Sequence, residues 1–423
     1  MQIESRKVTV LGAKQTGIQS ALFLKKHGAD VLVSELRQGR EIREAKKKLD
    51  AFDIRSEFGS HSWEEIRDSD LVIISPGIPP SAEISQKLLR SGIPIWSEIE
   101  LACQFSPCEI VAVTGSNGKT TVTTLIRDVL RASGKRAISC GNIGNPFIGE
   151  IEQLDPGAIA VLEVSSFQLT YIDQFKPRVG VLLNLSVNHL DWHKSFDEYA
   201  DAKFRLFENQ TADDLAVINS QDTEIQKRVS DISSKLVYFG GDGESNPNFS
   251  AVKQVAAYYG IAPAVTQSVL DQFSGLEHRF EHVTTFLGVH YVNDSKSTTI
   301  ASLGWALDRV EPGCILIAGG RHKGGDFKVL TDLVKKKVGF LITLVESKKK
   351  MDAAFGGHVS TYSTETLDEA LRVARSVSKS GQTVLFSPAC ASFDMFRDYQ
   401  DRGAQFKKIV LSWQDQLVSV PER

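Results

Sequence analysis

Val111-Ala-Val-Thr-Gly-Ser-Asn-Gly-Lys-Thr-Thr121 is the stretch on which the fold turns. Ile110 to Val113 is a short apolar run that predicts a buried strand. Val122, Leu125, Ile126, Val129 and Leu130 recur at helical spacing beyond the loop, so Gly115 and Gly118 sit at a strand-to-helix turn. Such a turn aims backbone N–H groups and the positive end of the following helix dipole at one spot, where phosphate binds. Lys119 adds a full charge there and Thr120 a hydroxyl for Mg2+. The spacing departs from the general phosphate loop, because Val113 stands where a first glycine would be. A Gly-rich turn with a solvated lysine is the plain alternative. The co-occurrence of strand, glycines, Gly-Lys-Thr and amphipathic helix favours phosphate.

With 423 residues the chain is long enough for about three domains. Lys and Arg number 49 against 52 Asp and Glu, a net charge of -3, which excludes a generally basic surface for nucleic acid and a polybasic membrane tail. A strand from Val8 to Leu11 begins almost at once, leaving no room for a signal peptide. No apolar run reaches the roughly eighteen residues of a membrane span. A cytoplasmic protein is expected. Cys103, Cys108, Cys140, Cys314 and Cys390 contain no CxxC pair, which predicts reduced, mostly buried thiols and no zinc site.

The strand–loop–helix unit recurs on both sides of the phosphate loop. Val8-Thr-Val-Leu-Gly12-Ala-Lys-Gln-Thr-Gly17 is one, followed by a helix from Ile18 to His27, a strand from Ala29 to Val33, and Glu35. It is a dinucleotide fingerprint with Lys14 in place of the middle glycine, which argues against close approach of a pyrophosphate to the backbone. A structural turn and a site for a more distant nucleotide-sugar diphosphate both fit it. The strand Leu71 to Ile74 ends in Ser75-Pro-Gly-Ile78, and residues 1 to about 97 make one small α/β domain. In the second domain Ala158 to Leu162 delivers Glu163 to a strand end, where a carboxylate beside a phosphate loop is placed to hold Mg2+. Val179 to Leu183 runs out through Asn184-Leu-Ser-Val-Asn-His189, a third strand end.

In the predicted helix Phe196 to Phe207, the side chains of Phe196, Tyr199, Lys203 and Phe207 share one face. A lysine in that stripe either snorkels to water or is buried with a lowered pKa and a chemically available amine. The segment from about Gln210 to Asn248 shows a strand-like Leu236 to Phe239 and a polar loop, Gly240 to Asn248, without readable chemistry. Gly275 and its charged neighbours look like a linker. A third α/β unit then places Asn293-Asp-Ser-Lys-Ser-Thr298, Gly319 to Asp326 and Ser387 to Asp394 after the strands Val289–Val292, Cys314–Ala318 and Thr383–Phe386.

Taken together, TGSNGKTT, LEVSSFQL, NLSVNHLDWH, EHRFE, NDSKSTT and SPACASFDMFRDYQDRG resemble the Mur ligase family of peptidoglycan synthesis. NDSKSTT and SPACASFD point to its D-glutamate-adding branch. The resemblance implies an α/β fold of three domains: an N-terminal Rossmann-like domain (1–97) for a UDP-substrate, a central P-loop ATPase domain with a mostly parallel sheet (98–275), and a C-terminal Rossmann-like domain (276–423) for the amino acid. It implies ATP-dependent ligation of D-glutamate to UDP-N-acetylmuramoyl-L-alanine through an acyl phosphate, by a monomer without nucleic-acid or membrane partners. A sister ligase adding another amino acid, or a folylpolyglutamate-synthase-like amide ligase, is the alternative. By the same resemblance Gly115, Ser116, Asn117, Gly118, Lys119, Thr120 and Thr121 hold ATP phosphates; Asn248, Arg279, Asp294 and Lys296 contact the nucleotide; Thr120, Glu163 and His189 hold Mg2+. Lys119, His189 and Lys203 are the implied catalytic residues, with Lys203 carbamylated by CO2. Lys14, Gln15, Thr16, Glu35, Arg37, Ser75, Pro76 and Gly77 take the UDP group, Asn142 and Ser165 the muramoyl-alanine end, and Thr298, Lys323, Ser392, Phe393 and Tyr399 the D-glutamate. Asn188, Arg321, His322 and Tyr399 depart from the family's commoner residues.

Overall fold

The computed structural model describes residues 3–190, 192–241, 243–322 and 325–418, with the side chains of 40, 41 and 414–418 left aside. Those residues form two compact units, Met1–Phe273 and Ser274–Arg423. The first carries two sheets and the second carries one.

The first sheet contains β1 (Lys7–Leu11), β2 (Asp30–Glu35), β3 (Arg55–Phe58), β4 (Leu71–Ile74) and β5 (Ile95–Trp96), in the order β3-β2-β1-β4-β5. Every pairing is parallel. β1 and β4 are neighbours with the chain leaving in opposite directions, so a crevice opens beyond their carboxyl ends. There Gly12, at φ 100°, lies so close to Ser75 that a Cβ would stand 2.4 Å from the serine Oγ. Only glycine fits that contact.

The second sheet is built from β6 (Glu109–Thr114), β7 (Arg136–Gly141), β8 (Ala158–Glu163), β9 (Val179–Leu182), β10 (Leu215–Asn219) and β11 (Lys235–Phe239). The order is β11-β10-β9-β6-β8-β7, again wholly parallel. β8 and β9 are buried along their whole length, which is why they read as continuous apolar runs. The helix Lys119–Ala132 buries Val122, Leu125, Ile126, Val129 and Leu130 against this sheet, the face its spacing predicts. In the segment unread from sequence, β10 and β11 extend the sheet, and Asn248 belongs to the first turn of the helix Pro247–Tyr258, capped by Asn246, rather than to a loop. The helix predicted to end at Phe207 runs from Phe196 to Phe204 and tightens into a 3-10 turn, Arg205–Phe207.

A short helix, Glu98–Phe105, joins the two sheets and is bound by its own buried carboxylates. Glu100 Oε2 accepts three backbone N–H groups, from Asp173 (2.8 Å), Gln174 (3.0 Å) and Phe175 (2.8 Å). Glu98 Oε1 accepts from Ile148 N at 2.6 Å. Burial pushes the Glu98 pKa up to about 7 despite that bond.

The second unit holds β12 (Glu281–Phe286), β13 (Val289–Asn293), β14 (Cys314–Gly319), β15 (Val338–Leu344), β16 (Ser360–Thr364) and β17 (Thr383–Phe386), ordered β12-β13-β17-β14-β15-β16. Only the β12–β13 hairpin is antiparallel. All five cysteines are free thiols, Cys140, Cys314 and Cys390 being buried. Among the described residues no helix is long and apolar enough to cross a membrane.

Removing the Glu100 carboxylate strands three backbone donors at once. Glu100→Ala is expected to cost about 3 kcal/mol in urea unfolding; a loss under about 0.5 kcal/mol would mean that water replaces the carboxylate there.

Candidate active site

The phosphate loop leaves β6 at Thr114 and enters its helix at Gly118, whose φ of 82° is left-handed. A Cβ on Gly118 would stand 2.5 Å from Asn248 Oδ1, so this side chain closes over the loop. Asn184, at the end of β9, fixes the loop's shape: Asn117 N donates to its Oδ1 at 2.8 Å, and its Nδ2 donates to Asn117 O at 3.2 Å. Ser116 Oγ accepts from Ser186 N at 2.9 Å and lies 2.8 Å from the Tyr199 hydroxyl. Lys119 Nζ folds back on Gly115 O (2.8 Å) and Ser116 O (3.0 Å).

Glu163 reaches the same place from the end of β8, buried to 3% exposure. Thr120 Oγ1 donates to its Oε2 at 2.6 Å and Asn142 Nδ2 to its Oε1 at 2.8 Å. Thr120 and Glu163, assigned together to Mg2+, are therefore in one cluster with Asn142, assigned to the muramoyl-alanine end. Ser165, by contrast, spends its hydroxyl in a capping box with Gln168. His189 lies exposed on the loop after β9 with φ 55°, a left-handed conformation uncommon outside glycine. Asn188 Oδ1 accepts from His189 N at 3.0 Å, and Phe167 packs on its ring edge at 4.8 Å. The residue that departs from the family's habit thus supports the turn.

Lys203 resolves the alternatives its helix left open. Its side chain does not snorkel; it is 2% exposed, and Nζ donates to Thr114 Oγ1 at 3.2 Å and Gly115 O at 3.0 Å. The amine sits 4.9 Å from the Tyr199 ring centroid. Burial drives its pKa well below the ordinary lysine value, the charge of Lys119 adds to the effect, and Glu163 opposes it. Tyr199, Asn184, Ser186 and Thr114 are functional neighbours that motif reading missed. For Thr114 and Asn184 the usable signal was a polar residue at or just past the end of a buried strand.

At the first sheet, Lys14, Thr16, Glu35, Arg37 and the Ser75-Pro-Gly77 loop line one cleft of 730 Å3, together with His61. Glu35 is fully engaged: Ala13 N donates to Oε2 at 2.9 Å, and Arg37 donates through N and Nε to Oε1, both at 2.9 Å, and through its terminal nitrogen to Oε2 at 2.6 Å. Burial alone would raise its pKa, but these bonds outweigh it and bring the carboxyl down to about 2. Its visible task is to hold Arg37. Gln15 is directed elsewhere, donating to Asn145 Oδ1 at 3.3 Å.

In the second unit, Asp294 is buried after β13 and receives Ser387 Oγ (2.8 Å) and Phe280 N (3.1 Å). Burial nevertheless raises its pKa to about 7, with Arg279 among the opposing charges. Lys296 Nζ stands 3.8 Å from the centre of the Tyr399 ring, which brings together two residues assigned to different ligands. Ser392 is buried, Phe393 is exposed, and Thr298 is half-buried. Arg321 pairs with Glu346 at 3.3 Å. Lys323 lies outside the described residues.

Two family profiles match the chain: "Mur ligase MurD-like, N-terminal domain" over residues 6–97 and "Mur ligase middle domain" over residues 113–293. The UDP-N-acetylmuramoylalanine–D-glutamate ligase of Geotalea daltonii is 36% identical, covering 97% of this chain and 98% of its own. That of Pelodictyon phaeoclathratiforme is 39% identical over 97% and 99%. The chain belongs to the Mur ligase family, in its MurD branch. The Mur ligase fold is evident in solved structures too: MurF from Thermotoga maritima in complex with ADP superposes with a TM-score of 0.60 at 16% identity, covering 97% of each chain. MurC from the same organism gives 0.57 at 20% identity, over 97% of this chain and all of that one. Among the described residues no three or more His, Cys, Asp or Glu side chains converge on one metal position.

Because the folded chain holds Lys203 at a lowered pKa, the unfolded chain binds more protons between that value and the ordinary one near 10.5. Stability then rises with pH across that window and is lowest below it. Urea unfolding in bicarbonate-free buffer should show wild type gaining on Lys203→Met as pH is raised from 7 towards 10. Parallel pH profiles would mean an amine that stays charged.

Proposed function

We propose that the chain joins D-glutamate to UDP-N-acetylmuramoyl-L-alanine using ATP, in the making of a peptidoglycan precursor in the cytoplasm. The observation that carries this reading is the Thr120–Glu163–Asn142 cluster on the phosphate loop with the buried amine of Lys203 behind it. It stands in a chain that matches ligases of that name over 97% of its length.

A carboxylate is a poor acylating agent, so the reaction first needs a leaving group. A carboxylate oxygen of the alanyl end attacks the γ-phosphorus and ADP departs, leaving an acyl phosphate; the neutral amine of D-glutamate then attacks the acyl carbon, loses a proton, and phosphate leaves. Several anions must be held together, so the protein's work is positioning and charge compensation rather than proton transfer. The backbone N–H groups of Gly115 to Thr121 and Lys119 hold the phosphates. For that task Lys119 exchanges its contacts with Gly115 O and Ser116 O for phosphate oxygens.

The hydroxyl of Thr120 and the buried carboxylate of Glu163, 2.6 Å apart, are hard oxygen donors that suit Mg2+, with His189 on the adjoining strand end. Mg2+ held by these residues would supply neutralising charge for the phosphates. The lowered pKa of Lys203 favours the neutral amine, the form that adds to CO2 with loss of a proton to give a carbamate. That carbamate places an anion beside Glu163 and Lys119, supporting the metal side of the site. In this reading residues 1–97 hold the UDP group in the 730 Å3 cleft, 98–275 bind ATP, and 276–423 bind D-glutamate through Thr298, Lys323, Ser392, Phe393 and Tyr399, the chain acting as a monomer. Asn248, Arg279, Asp294 and Lys296 contact the nucleotide, and Asn142 and Ser165 the muramoyl-alanine end.

Phosphate release from ATP with UDP-N-acetylmuramoyl-L-alanine should require D-glutamate and give a product heavier by one glutamyl residue. Release with meso-diaminopimelate or L-glutamate instead would move the chain to a sister ligase. Lys119→Ala should lose about a thousandfold in kcat. Wild type stripped of CO2 should recover activity on adding bicarbonate whereas Lys203→Ala should not; a bicarbonate-independent wild type would remove the carbamate from the mechanism.

A further inference from the structure

His61 lines the cleft at the carboxyl ends of β1, β2 and β4, yet neither the motifs nor the reaction gives it a task. Its protonation is decided by its neighbours. Ser34 and Glu57 are paired in register on β2 and β3. Ser34 Oγ lies 2.5 Å from Glu57 Oε1 and 2.6 Å from His61 Nδ1. Burial favours the neutral form of Glu57, but hydrogen bonds from Ser34 and Ser62 prevail and hold its pKa below the usual value, so it is an ionised acceptor at neutral pH. A hydroxyl has one proton. At 2.5 Å from a carboxylate oxygen, Ser34 gives that proton to Glu57 and must accept from His61 Nδ1–H.

In a neutral imidazole, a proton on Nδ1 leaves Nε2 as a lone-pair acceptor. Burial lowers the His61 pKa against the pull of Glu57 and Glu35, which keeps the ring neutral. Nε2 makes no hydrogen bond to the described residues and remains available to a ligand in the cleft. We propose that His61 is a specificity-determining residue whose Nε2 accepts the imide N–H of a uracil-type base. The inference rests on the reading that residues 1–97 hold the nucleotide end of the substrate, and it names the atom that selects the base.

Two features favour the base over the diphosphate or the sugar. Glu35 and Glu57 surround His61 with negative charge, which repels phosphate, while the cations lining the cleft are Lys14, Arg37 and Lys87. An acceptor with a locked tautomer also discriminates in a way that a hydroxyl, free to turn, does not. Uracil presents N3–H to it; cytosine presents a lone pair at the same position, and two facing lone pairs leave both groups without a partner. Ser34 and Glu57 act through His61 and are positioning residues.

The test is binding of four probes by calorimetry, UDP, 3-methyl-UDP, CDP and 2′-deoxy-UDP, to wild type, His61→Ala and Ser34→Ala. Wild type should bind UDP about tenfold more tightly than 3-methyl-UDP or CDP. In His61→Ala that preference should shrink to within about twofold. Ser34→Ala should keep the ring in place yet lose part of the preference for UDP over CDP. Nitrogen-15 shifts of His61 in the unliganded wild type should report the Nδ1–H tautomer, a readout independent of how the variants fold. An Nε2–H tautomer, an unchanged preference in His61→Ala, or a preference that disappears only for the 2′-deoxy probe would each overturn the proposal. Ligation of D-glutamate alongside any of these would leave the ligase reading intact. Selective UDP binding that depends on His61, without ligation, would support His61 and sink the reading; a wild type that does not bind UDP overturns both.

Discussion

The amine of Lys203 is buried beneath the phosphate loop and bonded to Thr114 Oγ1 and Gly115 O, the two residues at which β6 becomes that loop. A cation in that place would cost several kcal/mol to desolvate. The structure tolerates it because the amine can be neutral. The helix Phe196–Phe204 is consequently tied to the loop by a group whose charge is not settled by the fold. Tyr199, one turn earlier, fastens Ser116 through its hydroxyl, and Ser116 in turn accepts Ser186 N from the loop that bears His189. The phosphate loop, the segment that bears His189, and Lys203 are thus linked through one buried tyrosine, whose own hydroxyl burial holds neutral by raising its pKa to about 12.

This arrangement explains a loop whose first glycine stands two positions later than in the general pattern. Val113, where a first glycine would stand, is a fully buried strand residue. What that glycine would have supplied, a backbone free to turn, is replaced by side chains: Asn184 brackets Asn117 from both sides, and Thr114 Oγ1 donates to Val164 O at 2.8 Å. The two glycines that remain sit where the crowding is worst, against Leu183 and Asn248.

The parts of this protein legible in its sequence are those decided by local pattern. β4, β8, β9 and β17 are continuous apolar runs because both faces of the sheet are covered. β3, with the sequence Arg-Ser-Glu-Phe and half-buried, and β16, with Ser-Thr-Tyr-Ser-Thr and mostly exposed, lie at sheet edges and have no such signal. Their residues are strands because a neighbour pairs with them. The same division runs through the site. Lys119, Thr120 and Glu163 are readable because each follows an apolar strand, whereas the state of Lys203 depends on partners some ninety positions away in the chain and His61 depends on the register of β2 with β3. Periodicity places a residue on a face; only packing says whether that face is wet.

The joint between the first two sheets shows which contacts hold the cleft of the first sheet in its place relative to the phosphate loop. Lys26 and Glu152 pair across it at 2.6 Å, but both are about half exposed, and such a pair contributes roughly 0–1 kcal/mol. Gln15 and Asn145 meet across it through one long, exposed bond. Glu98 and Glu100 are different in kind, because both are buried and both end on backbone N–H groups of the second sheet's loops. Exchange of those bonds with water requires opening the joint itself. Side chains can come and go at the surface pairs without moving a strand, but the buried carboxylates hold main chain to side chain. The distance from cleft to phosphate loop is therefore set by buried main-chain contacts and not by the surface pairs.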